Sequence, residues 1–187
     1  MNFCNQCGGT VHLTIPPGDN LPRHVCARCG TIHYSNPKLV VGCVAEWDGR
    51  ILLCRRSIEP RYGLWTVPAG FMENGETTRA AAVRETLEEA CAHVELDEAC
   101  ALISVPQISQ VHLFYRGRLL EARFAPGLET LETALFAETL IPWQEIAFQT
   151  VALCLRAYFA DRQAGHFRFH EASLPPLAER IAQPAGR

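Results

Sequence analysis

Residues 70 to 92, GFMENGETTRAAAVRETLEEACA, crowd carboxylates in a way a stable fold tolerates only if something cationic answers them. Five residues separate Gly70 from Glu76, seven separate Glu76 from Arg84, and Glu85, Glu88 and Glu89 follow. From about Thr77 to Ala92 the chain is rich in Ala, Glu, Arg and Leu and free of Gly and Pro, so it is predicted to be helical. Gly70, Asn74 and Gly75 predict a preceding loop of unusual backbone angles. On a helix, Glu85, Glu88 and Glu89 stand at i, i+3 and i+4 on one face, where like charges cost about 0.2–0.5 kcal/mol per pair. A hard divalent cation takes carboxylate oxygens, waters and phosphates, and would reverse the sign of that cost. Arg84 can pair with Glu88 one turn on and with Glu76 across the loop. A solvated acidic helix face is the plainer reading of such a run. The register of Gly70, Glu76 and Arg84 argues against it.

The N-terminus carries a second pattern. Cys4-x-x-Cys7-Gly8-Gly9 and Cys26-x-x-Cys29-Gly30 are separated by eighteen residues. Two such pairs read as two knuckles of one tetrahedral Zn²⁺ site, with disulfides or a redox CxxC as the competing readings. The glycines are expected to let backbone N–H groups approach the thiolates, and Pro16-Pro17-Gly18-Asp19 to form a turn tip between two short strands. So short a segment has no core of its own, and structural zinc contributes about 10–16 kcal/mol at neutral pH. Four thiolates close the site, so its role is structural. His24 and His33 are read as ordinary polar residues.

A chain of 187 residues holds one full core and a small appendage, with 48% apolar and 20% charged residues. Of nine cysteines, Cys43, Cys54, Cys91, Cys100 and Cys154 are left over in apolar runs. They are expected to be buried free thiols, which implies a reducing, cytoplasmic setting. No secretory leader and no membrane-length apolar run is legible. A net charge of −3 speaks against a dedicated nucleic-acid binder. Lys38 to Trp47, the Asp48-Gly49 turn and Arg50 to Arg55 predict a hairpin, and Trp65 to Pro68 a strand feeding the helix. Further strands are expected over Ala101 to Val105, Gln110 to Phe124 and Thr133 to Ala137. A core-packing helix is expected from Phe148, capped by Gly165. The zinc segment should end near Asn36-Pro37, giving units 1–36 and 37–170, with a loose tail over 171–187.

Gly70, Glu76, Arg84, Glu85, Glu88 and Glu89 together resemble the Nudix box, G-x5-E-x7-R-E-U-x-E-E-x-G-U, with U a bulky apolar residue. The resemblance extends over roughly residues 38 to 160. Thr86 and Ala92 depart from it where bulky residues are usual, and Cys91 replaces the glycine that normally ends the helix. The resemblance implies an α/β fold, a Nudix-type α/β/α sandwich with a mixed sheet. It implies an enzyme that uses Mg²⁺ or Mn²⁺ to hydrolyse the pyrophosphate of a nucleoside diphosphate linked to another group. Glu85, Glu88, Glu89 and the Ala69 carbonyl would hold the cations, and Glu76 and Arg84 would orient them. The general base would be on the box helix or on a later loop, where Glu129 and Glu132 are available and Glu132 is preferred. Dimers are common in that family.

Within the family, a four-cysteine ribbon ahead of the domain is similar to two groups. NADH pyrophosphatases carry an SQPWPFP-type element after the box, but here the chain reads SVPQISQV from Ser104. PKLVVG, WTVPAGFMENGE, PQISQV and IPWQEIAF are more similar to hydrolases of FAD and ADP-ribose, which release AMP. Arg55 is the expected phosphate ligand among Arg55, Arg56 and Arg61. Phe71 is the preferred stacking residue over Tyr62, and Trp65 is assigned to the core. Two other functions stay open: an enzyme acting on NADH or NAD-capped RNA, and a non-catalytic zinc-ribbon binding module with a degenerate Nudix domain.

Overall fold

A computed structural model describes residues 1–175, in two units: Met1–Pro37, and the chain from Lys38 onward. The first unit is an antiparallel sheet of β1 (Val11–Thr14), β2 (Arg23–Cys26) and β3 (Ile32–His33). Its two knuckles are built alike. Gly8 N–H donates to the Cys4 carbonyl at 2.9 Å, and Gly30 N–H to the Cys26 carbonyl at 3.0 Å. Both glycines sit at φ +71°, which a side chain would strain. The glycines therefore make the turns. N–H groups of Gln6, Arg28 and Cys29 reach sulfur, and among the glycines Gly9 N–H bonds to the Cys7 sulfur, as expected.

The second unit is one mixed sheet. Its strands are β4 (Lys38–Trp47), β5 (Arg50–Arg56), β6 (Trp65–Thr66), β7 (Ala69–Phe71), β8 (Val94–Val105), β9 (Gln110–Leu119), β10 (Thr130–Phe136) and β11 (His170–Ser173). The main path runs β10-β5-β4-β9-β8-β11, with β4/β9 and β8/β11 parallel and the other pairs antiparallel. Residues alternate across the sheet with period 2. Val44, Ile51 and Leu53 join the core under α2 (Gln149–Ala164), while Cys43, Ala45, Leu52 and Cys54 pack with Ala90 and Ala92 at the end of α1 (Thr78–Ala90). This is the α/β/α sandwich expected.

β4 and β5 pair only beside their turn, at Glu46↔Ile51 and Trp47↔Arg50. Beyond that they part. β6 pairs with β5 and β7 with β4, so the segment leading to α1 threads into the opened sheet. The strand expected over Trp65 to Pro68 is thus two short strands. β8 starts at Val94, well before Ala101, because register shifts at Leu96, Ala99 and Ala101 break the alternation that marks a strand. β9 stops at Leu119 rather than Phe124, where Leu120 N–H turns to the His93 carbonyl. The tail expected from residue 171 begins instead inside a strand, since β11 pairs with Ala101–Ser104 of β8. Residues 176–187 lie outside the described residues.

Thr77 caps α1, its hydroxyl accepting from Ala80 N–H at 3.1 Å. Cys91 ends it in the left-handed conformation at φ 48° and ψ 34°, so the helix stops where the box glycine would stop it. Cys91 is exposed, against the expectation of a buried thiol; the other four spare cysteines are buried. A left-handed side chain costs about 1–2 kcal/mol, offset in part by the greater freedom of glycine when unfolded. Cys91→Gly should therefore stabilise the second unit by about 0.5–1 kcal/mol. An unchanged or lowered denaturant midpoint would contradict this.

Candidate functional site

Gly70 lies in β7 and not in a left-handed loop. Its requirement is space: a Cβ there would lie 2.3 Å from a Glu85 carboxylate oxygen. Within the preceding loop the left-handed residue is Gly75, at φ +89°. From α1, Glu85 and Glu89 turn inward and are buried, while the Glu88 side chain is 58% exposed. Ala69 N–H donates to Glu89 Oε2 at 3.1 Å, and the splayed strands hold that N–H over the helix.

Arg84 is the hub. It grips Glu76 in a two-pronged contact, with Nε to Oε2 at 3.0 Å and Nη2 to Oε1 at 2.8 Å. Its other donors reach Glu85 Oε1 at 2.7 Å, Glu88 Oε2 at 3.1 Å and the Phe71 carbonyl at 3.1 Å. Glu73 N–H adds a bond to Glu76 at 2.6 Å. Arg84, with that N–H, holds the Glu76 carboxyl down to about 2. Burial pushes the Glu89 carboxyl up to about 7, and the Glu85 and Glu129 charges add to the rise while Ala69 N–H and Arg56 oppose it. Burial also raises Glu85, against Arg84. Glu85, Glu88 and Glu89 on one face of α1, two of them buried, form a donor set of hard carboxylates suited to Mg²⁺ or Mn²⁺.

Around this centre the structure distributes the other candidates unevenly. The Cys54 thiol reaches the Glu89 carbonyl at 3.8 Å, so that edge of β5 faces α1. Arg56, two residues on, is buried, donates from Nε to the Pro60 carbonyl at 3.0 Å, lies over the Phe148 ring at 5.0 Å and exerts its charge on Glu89. Arg55 instead donates to the Gly63 carbonyl at 2.8 Å and approaches Glu132 at 3.6 Å. Glu132 is thus engaged by Arg55, whereas Glu129 is the later carboxylate felt by Glu89. Phe71 is half exposed beneath Lys38 Nζ at 5.0 Å, and Trp65 is in the core as assigned. Alternation along β5 was the signal that separates Arg56 from Arg55.

In the first unit the sulfurs of Cys4, Cys7, Cys26 and Cys29 lie within 4.8 Å of one another, with Cys4–Cys29 at 3.8 Å and Cys7–Cys26 at 3.5 Å. Zinc–sulfur bonds of about 2.3 Å place tetrahedral sulfurs about 3.8 Å apart, so the four thiols are grouped close to the spacing that Zn²⁺ takes. His33 Nε2 lies 3.3 Å from Cys4 Sγ, so it is a neighbour of the cluster and not an ordinary polar residue.

The Nudix N-terminal family model matches residues 2–35 and the NUDIX domain model residues 36–154. The chain belongs to the Nudix hydrolase family. A NUDIX hydrolase structure from Nitrosomonas europaea is 52% identical, with a TM-score of 0.91 over 93% of this chain and 99% of that one. The NAD-capped RNA hydrolase NudC of Vibrio atlanticus is 38% identical over 91 residues, 48% of this chain and 31% of that protein. The ADP-ribose pyrophosphatase of Methanocaldococcus jannaschii is 43% identical over 56 residues, 30% of this chain and 33% of that protein. The chain spans about a third of the length of these curated relatives. No helix among the described residues is long and apolar enough to cross a membrane.

Proposed function

We propose that the protein hydrolyses the pyrophosphate bond of ADP linked to a second moiety, FAD or ADP-ribose, releasing AMP. The observation that carries this reading is that Glu85 and Glu88 meet at Arg84, while Glu89, on the same helix face, is held by Ala69 N–H and felt by Glu85, Glu129 and Arg56. A bound Mg²⁺ or Mn²⁺ would neutralise the pyrophosphate and lower the pKa of an attacking water. Glu85, Glu88, Glu89 and the Ala69 carbonyl are the ligands we assign it, and Glu76 fixes Arg84 behind them. Arg56 supplies a second positive charge for phosphate oxygens. Glu129 takes the proton of the attacking water, a role for which its effect on Glu89 favours it over Glu132. Phe71 offers an exposed ring to a base or flavin. The four cysteine sulfurs, grouped in the first unit, would hold a structural zinc.

A second reading, action on the NAD end of a dinucleotide or of a capped RNA, draws on the relatives named NAD-capped RNA hydrolase. Wild type is incubated with FAD, ADP-ribose and NADH, with Mg²⁺ and separately with Mn²⁺, and products are resolved by chromatography. AMP with FMN or ribose 5-phosphate is the expected result. A tenfold or greater kcat/KM preference for NADH moves the assignment to the second reading. No metal-dependent AMP from any of them rejects the first reading and the free-dinucleotide form of the second.

The cation should also compete with protons. With Glu89 raised to about 7, the metal-free protein keeps that carboxyl protonated below pH 7. Burial in the neutral form stabilises the fold at low pH, and this contribution is lost as pH rises through about 7. Cation binding displaces the proton, so Mn²⁺ affinity should fall up to tenfold per unit below pH 7 and level off above it. Calorimetric affinities that stay flat from pH 5.5 to 7 would exclude Glu89 as a ligand.

A further inference from the structure

An α-helix leaves its last carbonyls without partners inside the helix. In α1 two of these carbonyls belong to Glu89 and Ala90, and the segment after β9 folds back to meet them. Ala125 N–H donates to the Ala90 carbonyl at 2.8 Å, and Gly127 N–H to the Glu89 carbonyl at 3.0 Å. Gly127 is not among the residues of positive φ, so its backbone conformation does not call for glycine. The space does: a Cβ on Gly127 would lie 1.7 Å from the Glu88 carbonyl oxygen and 3.1 Å from Glu89 Cα. The backbone of Gly127 thus rests directly on the two residues whose side chains reach the cation site. Its far side is fixed too. Thr130 N–H donates to the Gly127 carbonyl at 3.2 Å, and Ser57 holds the Glu129 and Leu128 carbonyls at 2.9 and 3.3 Å.

We infer that Ala125–Gly127 is a strap that positions the carboxylate end of α1, with Gly127 as its contact point. It fixes Glu88 and Glu89 in height against Ala69 N–H. It also sets the distance from them to Glu129, carried two residues further along the same segment. A side chain at 127 must push the strap off the helix or push the helix end inward, and either movement separates carboxylates that act together. Gly127 touches no substrate; it is a positioning residue, and its role rests on the carboxylate site proposed above.

The test compares Gly127→Ala with Leu128→Ala, the next residue beyond the strap, whose side chain is fully exposed. Mn²⁺ binding is titrated by electron paramagnetic resonance, with zinc content and far-UV circular dichroism as checks on folding. Gly127→Ala should bind Mn²⁺ at least tenfold more weakly than wild type. Its kcat should fall tenfold at subsaturating Mn²⁺ and recover most of the way as Mn²⁺ is raised. Leu128→Ala should stay within twofold on both counts. In wild type the Ala125 and Gly127 amides should exchange with solvent at least a hundredfold more slowly than that of Leu128, a measurement that decides the matter even if Gly127→Ala does not fold. Equal exchange at the three amides, or Mn²⁺ binding by Gly127→Ala within twofold of wild type, overturns the strap alone. Wild type that binds no Mn²⁺ overturns the carboxylate site and the strap's function with it.

Discussion

Glu89→Gln should lower kcat on the order of 10³-fold, the scale of losing a metal ligand at a phosphoryl centre, while leaving the fold intact. The two halves of that expectation have different causes. Glu89 is buried and already favours its neutral form up to about pH 7, so a neutral amide of the same shape removes a burial cost. In the absence of divalent cation the variant should melt at or above the wild-type temperature at pH 8. Catalysis depends on the charged form that the amide abolishes. Glu88→Gln should lose activity similarly but leave stability unmoved, because Glu88 is largely in solvent. AMP release and thermal melts of both variants test the pair. Retention of more than a tenth of the wild-type kcat by either would remove that residue from the cation site.

Replacing Cys26 by Ser should release the ion from the N-terminal unit and unfold it. One zinc per chain is expected in freshly purified, dialysed wild type, by elemental analysis. The sheet of this unit consists of strands of four, four and two residues, and β1 is almost wholly exposed. Little apolar surface is therefore available to replace about 10–16 kcal/mol of metal binding. Cys26 is buried, and its sulfur accepts from Arg28 and Cys29 N–H, so Ser costs both the ligand and the anchor of the second knuckle. Loss of zinc with preserved melting of the second unit is the expected pattern. Wild type without zinc would refute the metal reading of the four thiols.

The parts legible in the sequence were those with short-range causes. Thr77, the Ala- and Glu-rich run and the register of Gly70, Glu76 and Arg84 were enough to foresee α1 and its charges. The paired CxxC spacing foretold a four-sulfur cluster. Features made by contacts distant in sequence stayed hidden. Gly127 reads as a loop glycine until Glu88, about forty residues earlier, is seen beneath it. The bulges of β8 scramble its alternation, and HEAS in β11 lacks the apolar pattern of a strand, since its pairing to β8 carries the structure. Which of Arg55 and Arg56 shares the side of β5 that Cys54 turns toward α1 depends on how the strand is faced, and the residue types alone do not state it. His33 came to Cys4 through the β2–β3 pairing.

β11 also protects the molecule from itself. β8 is long, and at Ala101–Ser104 its outer edge is covered by a single four-residue strand reached only after α2. Without that strand, a row of backbone donors and acceptors flanked by Ala101 and Ile103 would be open to other chains, the geometry from which edge-to-edge aggregation grows. During synthesis that row waits for the chain to pass residue 173. The last strand among the described residues therefore sets how long the newborn sheet stays adhesive.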